Sequence, residues 1–421
     1  MSNTTLTADV IAKEAVAILE NELLMAKLVH RGYEEEFTGK VNGYEKGDTV
    51  SIRRPTDFTV REGATADVQD VVEGKTSFTV NQQVGVDFKF TSADLTLNIG
   101  ELGERVMKPA LVQLADYVDR KVMELYKEIP NHVTIPTGGL NSFADFALVA
   151  ERMDTLAIPQ DNRSAVLCPA DYWALLGSQT SLYVNDAAKG AYRNANLGMI
   201  GNIDTYMSQN APTHTYGART GTDVSDTTGE SYDGGYLWAN VKDSNYVTFH
   251  IDGMASDTSG YYKKGDTFTL SDVYDVNPVS KERLAHLKMF TVMEDTTSAS
   301  SEADVKIWPP IIVSGAQKTV DLASGATLDG RTVTYQGTAS SPFRQNLFFH
   351  KSALGLVMVP MVKPPGATDV GRRTYKGTSV RVIPYYDGVN DVSSWRLDIL
   401  FGTKTIDPRK AVRASLADNV A

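Results

Sequence analysis

The chain has 421 residues, 42% hydrophobic and 22% charged, which is the balance of a soluble globular protein with room for roughly two to four domains. A net charge of −11 argues against a dedicated nucleic-acid binder, which would carry a basic stripe. Cys168 is the single cysteine, so no intrachain disulfide can form, and no apolar run approaches the ~20 residues of a membrane span.

Met1 is followed by polar residues and then an amphipathic stretch, so no signal peptide is visible and a reducing cytoplasm is expected. Residues 7–30 predict a helix. Thr7 suits the N-cap, Val10, Ile11, Ala15, Ile18, Leu19, Leu23 and Leu28 mark the apolar face, and Gly32 ends it. Residues 46–54 alternate around Val50 and Ile52 and predict a strand that stops at Pro55. A second strand is expected over 76–91, carrying Phe78, Val80, Val84, Val86, Phe88 and Phe90, with its phase broken near Gln82 and Gln83. Together they make a long hairpin whose polar tip of roughly twenty residues suits a reach toward a neighbouring molecule.

Residues 101–128 predict the helix around which the chain is organised. Leu102, Val106, Ala110, Leu114, Val118, Val122, Leu125 and Ile129 recur at helical spacing. Asp116 and Arg120 stand four apart, acid first, and Pro130 stops the helix. Pro109 should kink it or begin its regular part. Asn141 or Ser142 then caps a helix with Phe143, Phe146, Val149, Met153 and Leu156 on one face. Residues 164–167 read as a buried strand, with a helix opened by Pro169 and closed by Gly177, a short helix over 186–194 and a strand over 203–207. This alternation is α/β in character.

Composition shifts at Ala211. Residues 212–338 are rich in Thr, Ser, Gly, Asp and Tyr, with short alternating runs, and predict a small antiparallel barrel or sandwich that interrupts the α/β domain. Residues 347–359 return to the earlier character. Residues 379–385 and 394–401 predict strands around a turn at Asp387 and Gly388, with Trp395, Leu397, Ile399 and Phe401 on one face and either the hairpin base or the long helix of 101–128 as partner.

Groups that would carry chemistry do not converge. The six histidines share no metal-ligand spacing, and Gly-x-Ser-x-Gly is absent. The glycines at 260 and 265 bracket a turn rather than a phosphate loop, which would end in Gly-Lys-Ser/Thr. Cys168 follows Ala165, Val166 and Leu167 and reads as a buried small hydrophobe. Asp223, Asp226, Glu230 and Asp233 cluster without EF-hand order and read as a solvated acidic loop. Arg372, Arg373 and Lys376 form a small basic run suited to phosphate, to a neighbour's carboxylate or to water alone, the last two being favoured over phosphate. No catalytic, metal or cofactor residue is assigned.

The order of parts, from amphipathic arm through hairpin, long helix, α/β domain, inserted barrel and closing strands, resembles the major capsid protein of tailed bacteriophages with the Hong Kong ninety-seven fold. Within that group it is most similar to the short-tailed Salmonella-phage coat proteins that carry an insertion domain. The resembling stretches run from Leu167 to Tyr172, from Lys264 to Phe268, from Arg344 to Phe349, and over 396–405. The resemblance implies an α+β fold with an N-terminal arm (1–39), an E-loop hairpin (40–91) and a peripheral domain with a spine helix (92–130). It further implies an axial domain in two parts (131–210 and 339–391), an inserted barrel (211–338) and closing peripheral strands (392–421). It implies a shell subunit that forms hexamers and pentamers, works with separate scaffolding and portal proteins and encloses double-stranded DNA. No cofactor, enzyme activity or membrane is implied, and synthesis would be in the bacterial host cytoplasm. Asp223, Asp226, Glu230, Asp233, Lys242, Arg372 and Arg373 are the expected inter-subunit contacts, with Lys263 and Lys264 as further basic partners for the acidic loop. Two other readings stand beside this one. An encapsulin-like compartment is disfavoured by the inserted barrel. A secreted carbohydrate-binding or hydrolytic protein would need a secretion signal and a carboxylate pair.

Overall fold

A computed structural model describes residues 8–33, 40–41, 44–45, 49–53, 57–58, 60, 63–65, 68, 75–91, 106–136, 139–180, 197–226, 246–256, 258–323, 327–364 and 370–416. Two compact units share the chain, each assembled from separate segments. One holds 1–51, 77–122 and 354–404; the other holds 52–76, 123–353 and 405–421.

The first unit is an antiparallel sheet with helices. Strand Val392–Thr405 lies at its centre and pairs with Thr378–Asp387 and Leu354–Met358, while Gly371–Tyr375 forms the edge beyond Thr378–Asp387. Gln82–Thr91 also pairs with Val392–Thr405, Trp395 facing Phe88 and Leu397 facing Val86, so the expected pairing of closing strand and hairpin base is present. Val380, Val382, Leu397, Ile399 and Phe401 are buried. Helix Ala8–Glu22 packs on Gly371–Tyr375 and Thr378–Asp387 and buries Ile11, Ala12, Ala15, Val16 and Leu19.

The helix expected over 7–30 breaks after Glu22 and restarts as Met25–Leu28. The cause is remote in sequence: the Asp119 carboxylate accepts the backbone N–H groups of Leu24 (2.9 Å) and Met25 (3.1 Å), capping a new helical start. Asp119 is buried, and burial outweighs these hydrogen bonds, raising its carboxyl to about 6. A carboxyl whose folded-state value is raised contributes most below its unfolded value, and that contribution is lost as pH rises through about 6. The stability difference between the parent and Asp119→Asn should therefore change by about 2 kcal/mol between pH 4 and 7, as read by urea midpoints across that range. A constant difference would show that Asp119 does not titrate there.

The long central helix is observed as Lys108–Met123, tightening to a 3-10 turn over Glu124–Glu128. Pro109 sits in its first turn, where its missing N–H costs nothing, so it begins the regular part. Leu111, Leu114, Ala115, Val118 and Val122 are buried, and Arg120 pairs with Asp116 on the outer face. Leu102 and the rest of 101–105 lie outside the described residues. In the hairpin, Thr49–Arg53 pairs with Lys75–Thr79. The returning strand stops at Val80 and Asn81, then continues as Gln82–Thr91. The phase break read near Gln82 has a reason: the two halves belong to different sheets.

Among the described residues, the second unit contains two large sheets and the short antiparallel pair Thr213–Thr215 with Pro342–Arg344. A six-stranded one runs in the order His132–Ile135, Ala411–Leu416, Asn346–His350, Arg163–Leu167, Ile203–Met207, Met199–Ile200. Helix Phe143–Thr155 starts at a capping box between Ser142 and Asp145 and buries Phe146, Val149 and Met153 among Leu167, Phe348 and Val412. Helix Pro169–Thr180 runs past Gly177, which the sequence reading took as its end. The helix expected over 186–194 lies outside the described residues. Residues 221–335 supply the other sheet, seven-stranded and antiparallel, with Phe249, Ile251, Phe268, Phe290, Val305 and Ile307 inside. Val224 bridges Thr332 next to the strand Val333–Tyr335, so the sheet comes round toward its own first strand.

The structure divides the chain differently from the expected boundaries. Residues 354–391, expected in the axial part, lie in the first unit, whereas Ala411–Leu416, expected among the peripheral closing strands, completes the six-stranded sheet of the second. A short 3-10 turn, Pro408–Lys410, capped by the Asp407 side chain, separates the two strands. Strand alternation alone cannot say which sheet a strand joins.

Candidate functional site and interaction surfaces

Within the second unit, the two sheets meet at a buried polar junction. Its frame is the turn containing Lys264, Gly265, Asp266 and Thr267, one of the stretches that carried the resemblance. Gly265 has φ +100°, and a Cβ there would stand 3.0 Å from Lys127 Cγ and 3.2 Å from His214 Cε1, so the position requires glycine. Asp266, fully buried, accepts from His214 Nε2 (2.8 Å) through one oxygen and from the backbone N–H groups of Gly217 and Lys263 (3.1 Å each) through the other. With Nε2 donating, His214 Nδ1 accepts the Tyr126 hydroxyl at 2.9 Å. His132 bridges the sheets, with Nδ1 2.8 Å from Thr267 Oγ1 and Nε2 2.6 Å from Ser415 Oγ. Arg413, on the final strand and fully buried, donates through Nη2 to the Gly265 carbonyl at 2.6 Å.

The electrostatics follow from burial. Desolvation lowers the His132 imidazole well below its ordinary value, helped by Arg413 and His214. Burial also lowers His214, against the pull of Asp266. Both rings are therefore neutral near pH 7, and each serves as a hydrogen-bond bridge. A second contact joins the sheets near Asp275. Burial would raise this carboxyl, but Lys288 (2.7 Å) and His286 (3.3 Å) outweigh it and hold the group at about 2. Asn277 Nδ2 donates to the Thr155 carbonyl at 3.1 Å, and Leu284 packs on the core of the six-stranded sheet. Sequence reasoning missed His132, His214, Asp266 and Arg413. Histidines without metal spacing read as surface or hydrogen-bonded structural groups, which does not say where they meet, and the one available signal was the Gly265–Asp266 pair at a turn entering a strand.

The expected contact residues fall in different places. Asp223 requires a correction: it is 2% exposed, on strand Gly221–Ser225, and accepts the hydroxyls of Tyr261 (2.6 Å) and Tyr262 (2.7 Å). Burial raises its carboxyl, and it belongs to the core of its own sheet, not to an exposed loop. Asp226 follows that strand, its N–H donating to the His250 carbonyl at 3.3 Å. Its carboxylate, with Glu302 and chiefly Asp304, raises the His250 imidazole. Glu230, Asp233 and Lys242 lie outside the described residues. Lys264 pairs with Glu128 of the same chain at 3.1 Å. Arg372 and Arg373 are adjacent and exposed on the edge strand Gly371–Tyr375, Arg372 Nη1 donating to the Met361 carbonyl at 3.1 Å. Among the described residues, no group of three or more His, Cys, Asp and Glu side chains is arranged to hold a metal ion.

Apolar side chains are exposed along the hairpin connection: Phe58 by 54%, Val60 by 96% and Val68 by 90%. Trp173 on helix Pro169–Thr180 and Met199 are also more than half exposed. No helix among the described residues is long and apolar enough to cross a membrane.

The chain matches the family model described as "P22 coat protein - gene protein 5" over residues 1–413. It is 25% identical over 410 residues to the major capsid protein of Acyrthosiphon pisum secondary endosymbiont phage 1, covering 93% of this chain and 94% of that one. Among solved structures it is similar to that of Mycobacterium phage Che8, with 12% identity, 93% and 90% of the two chains covered and a TM-score of 0.49. It is also similar to the mature capsid of bacteriophage PhiM1, with 12% identity, 89% and 83% covered and a TM-score of 0.45.

Proposed function

Because the chain belongs to the P22 coat protein family, matched over residues 1–413, we propose that its work is self-assembly and not catalysis. It is a major capsid protein of a tailed phage. The observation that carries this is the match along nearly the whole chain to both the family and a major capsid protein.

In this reading the first unit is the peripheral domain of a Hong Kong ninety-seven fold, with Lys108–Met123 as its spine helix. The six-stranded sheet is the axial domain, and the seven-stranded sheet is the inserted barrel, as in the short-tailed Salmonella-phage coat proteins. Copies close into hexamers and pentamers through heterologous contacts. The exposed Phe58, Val60 and Val68 support the assignment of the hairpin as an E-loop, since a monomer has no use for three apolar side chains in water there. A separate scaffolding protein directs assembly, a portal protein takes one vertex, and the shell encloses double-stranded DNA. The net charge of −11 suits a wall along which DNA slides without sequence-specific binding. The subunit is made in the bacterial host cytoplasm and ends in the virion.

Arg372 and Arg373 remain proposed contacts to acidic groups of a neighbouring copy. Asp226, Glu230 and Asp233 are proposed to meet basic groups of another, with Lys242 as a candidate. Negative-stain microscopy of the purified protein should show shells or tubes; dispersed monomers under all assembly conditions would overturn the reading. Replacing Asp226, Glu230 and Asp233 by Asn, Gln and Asn should leave the melt unchanged and alter the salt dependence of shell yield, because exposed pairs contribute only ~0–1 kcal/mol each but recur at every subunit. Unchanged yield at every salt concentration removes the acidic loop from the interface.

A further inference from the structure

Three segments distant in sequence meet at one carboxylate in the second unit. Asp57, at the start of the hairpin connection, lies 3.5 Å from Lys281 Nζ and 3.3 Å from Arg409 Nη1. Lys281 belongs to the turn between strands Thr267–Val276 and Arg283–Val292 of the seven-stranded sheet. Arg409 belongs to the 3-10 turn before the final strand.

Both cations are held in place by contacts that do not involve Asp57. The Lys281 turn is tied by hydrogen bonds from Lys281 N to the Asn277 carbonyl and from Asn277 N to the Glu282 carbonyl, each 2.9 Å. Asn277 Oδ1 accepts from Val279 N and Ser280 N, and Asn277 Nδ2 fastens the turn to the Thr155 carbonyl. Lys281 itself has φ +59°, a left-handed conformation that a lysine adopts only where the surroundings impose it. On the other side, Asp407 caps its turn and holds the Arg409 guanidinium from Nε (3.0 Å) and Nη2 (3.4 Å). Lys410 shares Asp407 at 3.7 Å. The fold thus brings Lys281 and Arg409 close enough to repel one another, and Asp57 is the anion between them.

We propose that Asp57 is a positioning residue, the point at which the seven-stranded sheet and the C-terminal turn together fix the direction in which the hairpin leaves the subunit. This rests on the assignment of the hairpin as an assembly element. It makes the seven-stranded sheet a determinant of hairpin direction in addition to any contact it makes on its own surface. Partly exposed pairs of this kind add little to stability, so the effect is one of direction. Asp57→Asn leaves two facing cations and frees the start of the hairpin connection, and the conservative Asp57→Glu retains the anion.

The test uses the free subunit, where assembly plays no part. Cysteines are placed at Val60 and Val279, exposed by 96% and 75%, in a Cys168→Ser background, and the distance between spin labels is measured. The parent and Asp57→Glu should give one narrow distribution. Asp57→Asn and Lys281→Met should broaden it at least about twofold, with a melting temperature within about 2 °C of the parent. In assembly, Asp57→Asn should reduce well-formed shells at least about fivefold in favour of irregular particles. An unchanged distance distribution in Asp57→Asn overturns the proposal whatever the shells look like. Failure of the parent to form shells bears on the capsid reading and leaves the distance measurement standing.

Discussion

Replacing Asp266 by alanine is expected to lower the unfolding free energy of the second unit by about 3–5 kcal/mol. His214 Nε2, Gly217 N and Lys263 N all donate to this one carboxylate, and Asp266 is fully buried. Without it, His214 loses the acceptor that fixes its tautomer, so the Tyr126 hydroxyl is no longer assured of an acceptor at Nδ1. Arg413, also fully buried, keeps its charge and loses the nearby carboxylate. Urea unfolding followed by intrinsic fluorescence measures the loss. The junction should behave as one network: once Asp266 is gone, His214→Gln should add less than it costs alone. Full additivity of the two substitutions, or an unchanged midpoint in Asp266→Ala, would mean that the junction is only packing.

The second large effect is on assembly and spares the monomer. Phe58, Val60 and Val68 are exposed, so changing all three to serine removes little that the isolated subunit uses. Buried in a neighbour, each apolar side chain contributes about 1.5–3 kcal/mol, and the contact repeats at every copy. The triple variant should melt with the parent and lose shell yield by more than about tenfold. Normal shells from it would place the hairpin connection outside the interface.

Local signals were legible where the controlling residues are close in sequence. Ser142 and Asp145 announce the helix Phe143–Thr155, and Pro169 opens the next one. The alternation of Leu397, Ile399 and Phe401 marks their strand and its buried face. Legibility failed where the partner is remote. The break after Glu22 is set by Asp119, 95 residues beyond Leu24. Asp223 sits among Gly, Thr and Ser, and nothing nearby announces that Tyr261 and Tyr262 fold over it. His132, Arg413 and Ser415 carry no local sign of burial, because they are covered where a second sheet is laid across the first. Helix and strand are short-range properties, whereas the sheet a strand joins and the charges it covers are not.

The position of Ala411–Leu416 also governs when the subunit can exist. This strand is not at the sheet edge. It lies between His132–Ile135, to which it is parallel, and Asn346–His350, to which it is antiparallel. The Asn131 side chain meets the Ala411 carbonyl across 280 residues of sequence. On the ribosome, His132–Ile135 therefore emerges long before its neighbour has been translated, and it waits as an open edge. Nascent chains cut short before 411 lack both the strand and Arg413, so neither the sheet nor the junction can close. Such products remain substrates for chaperones and proteases, and the geometry withholds a finished building block from the growing particle until translation has passed this point.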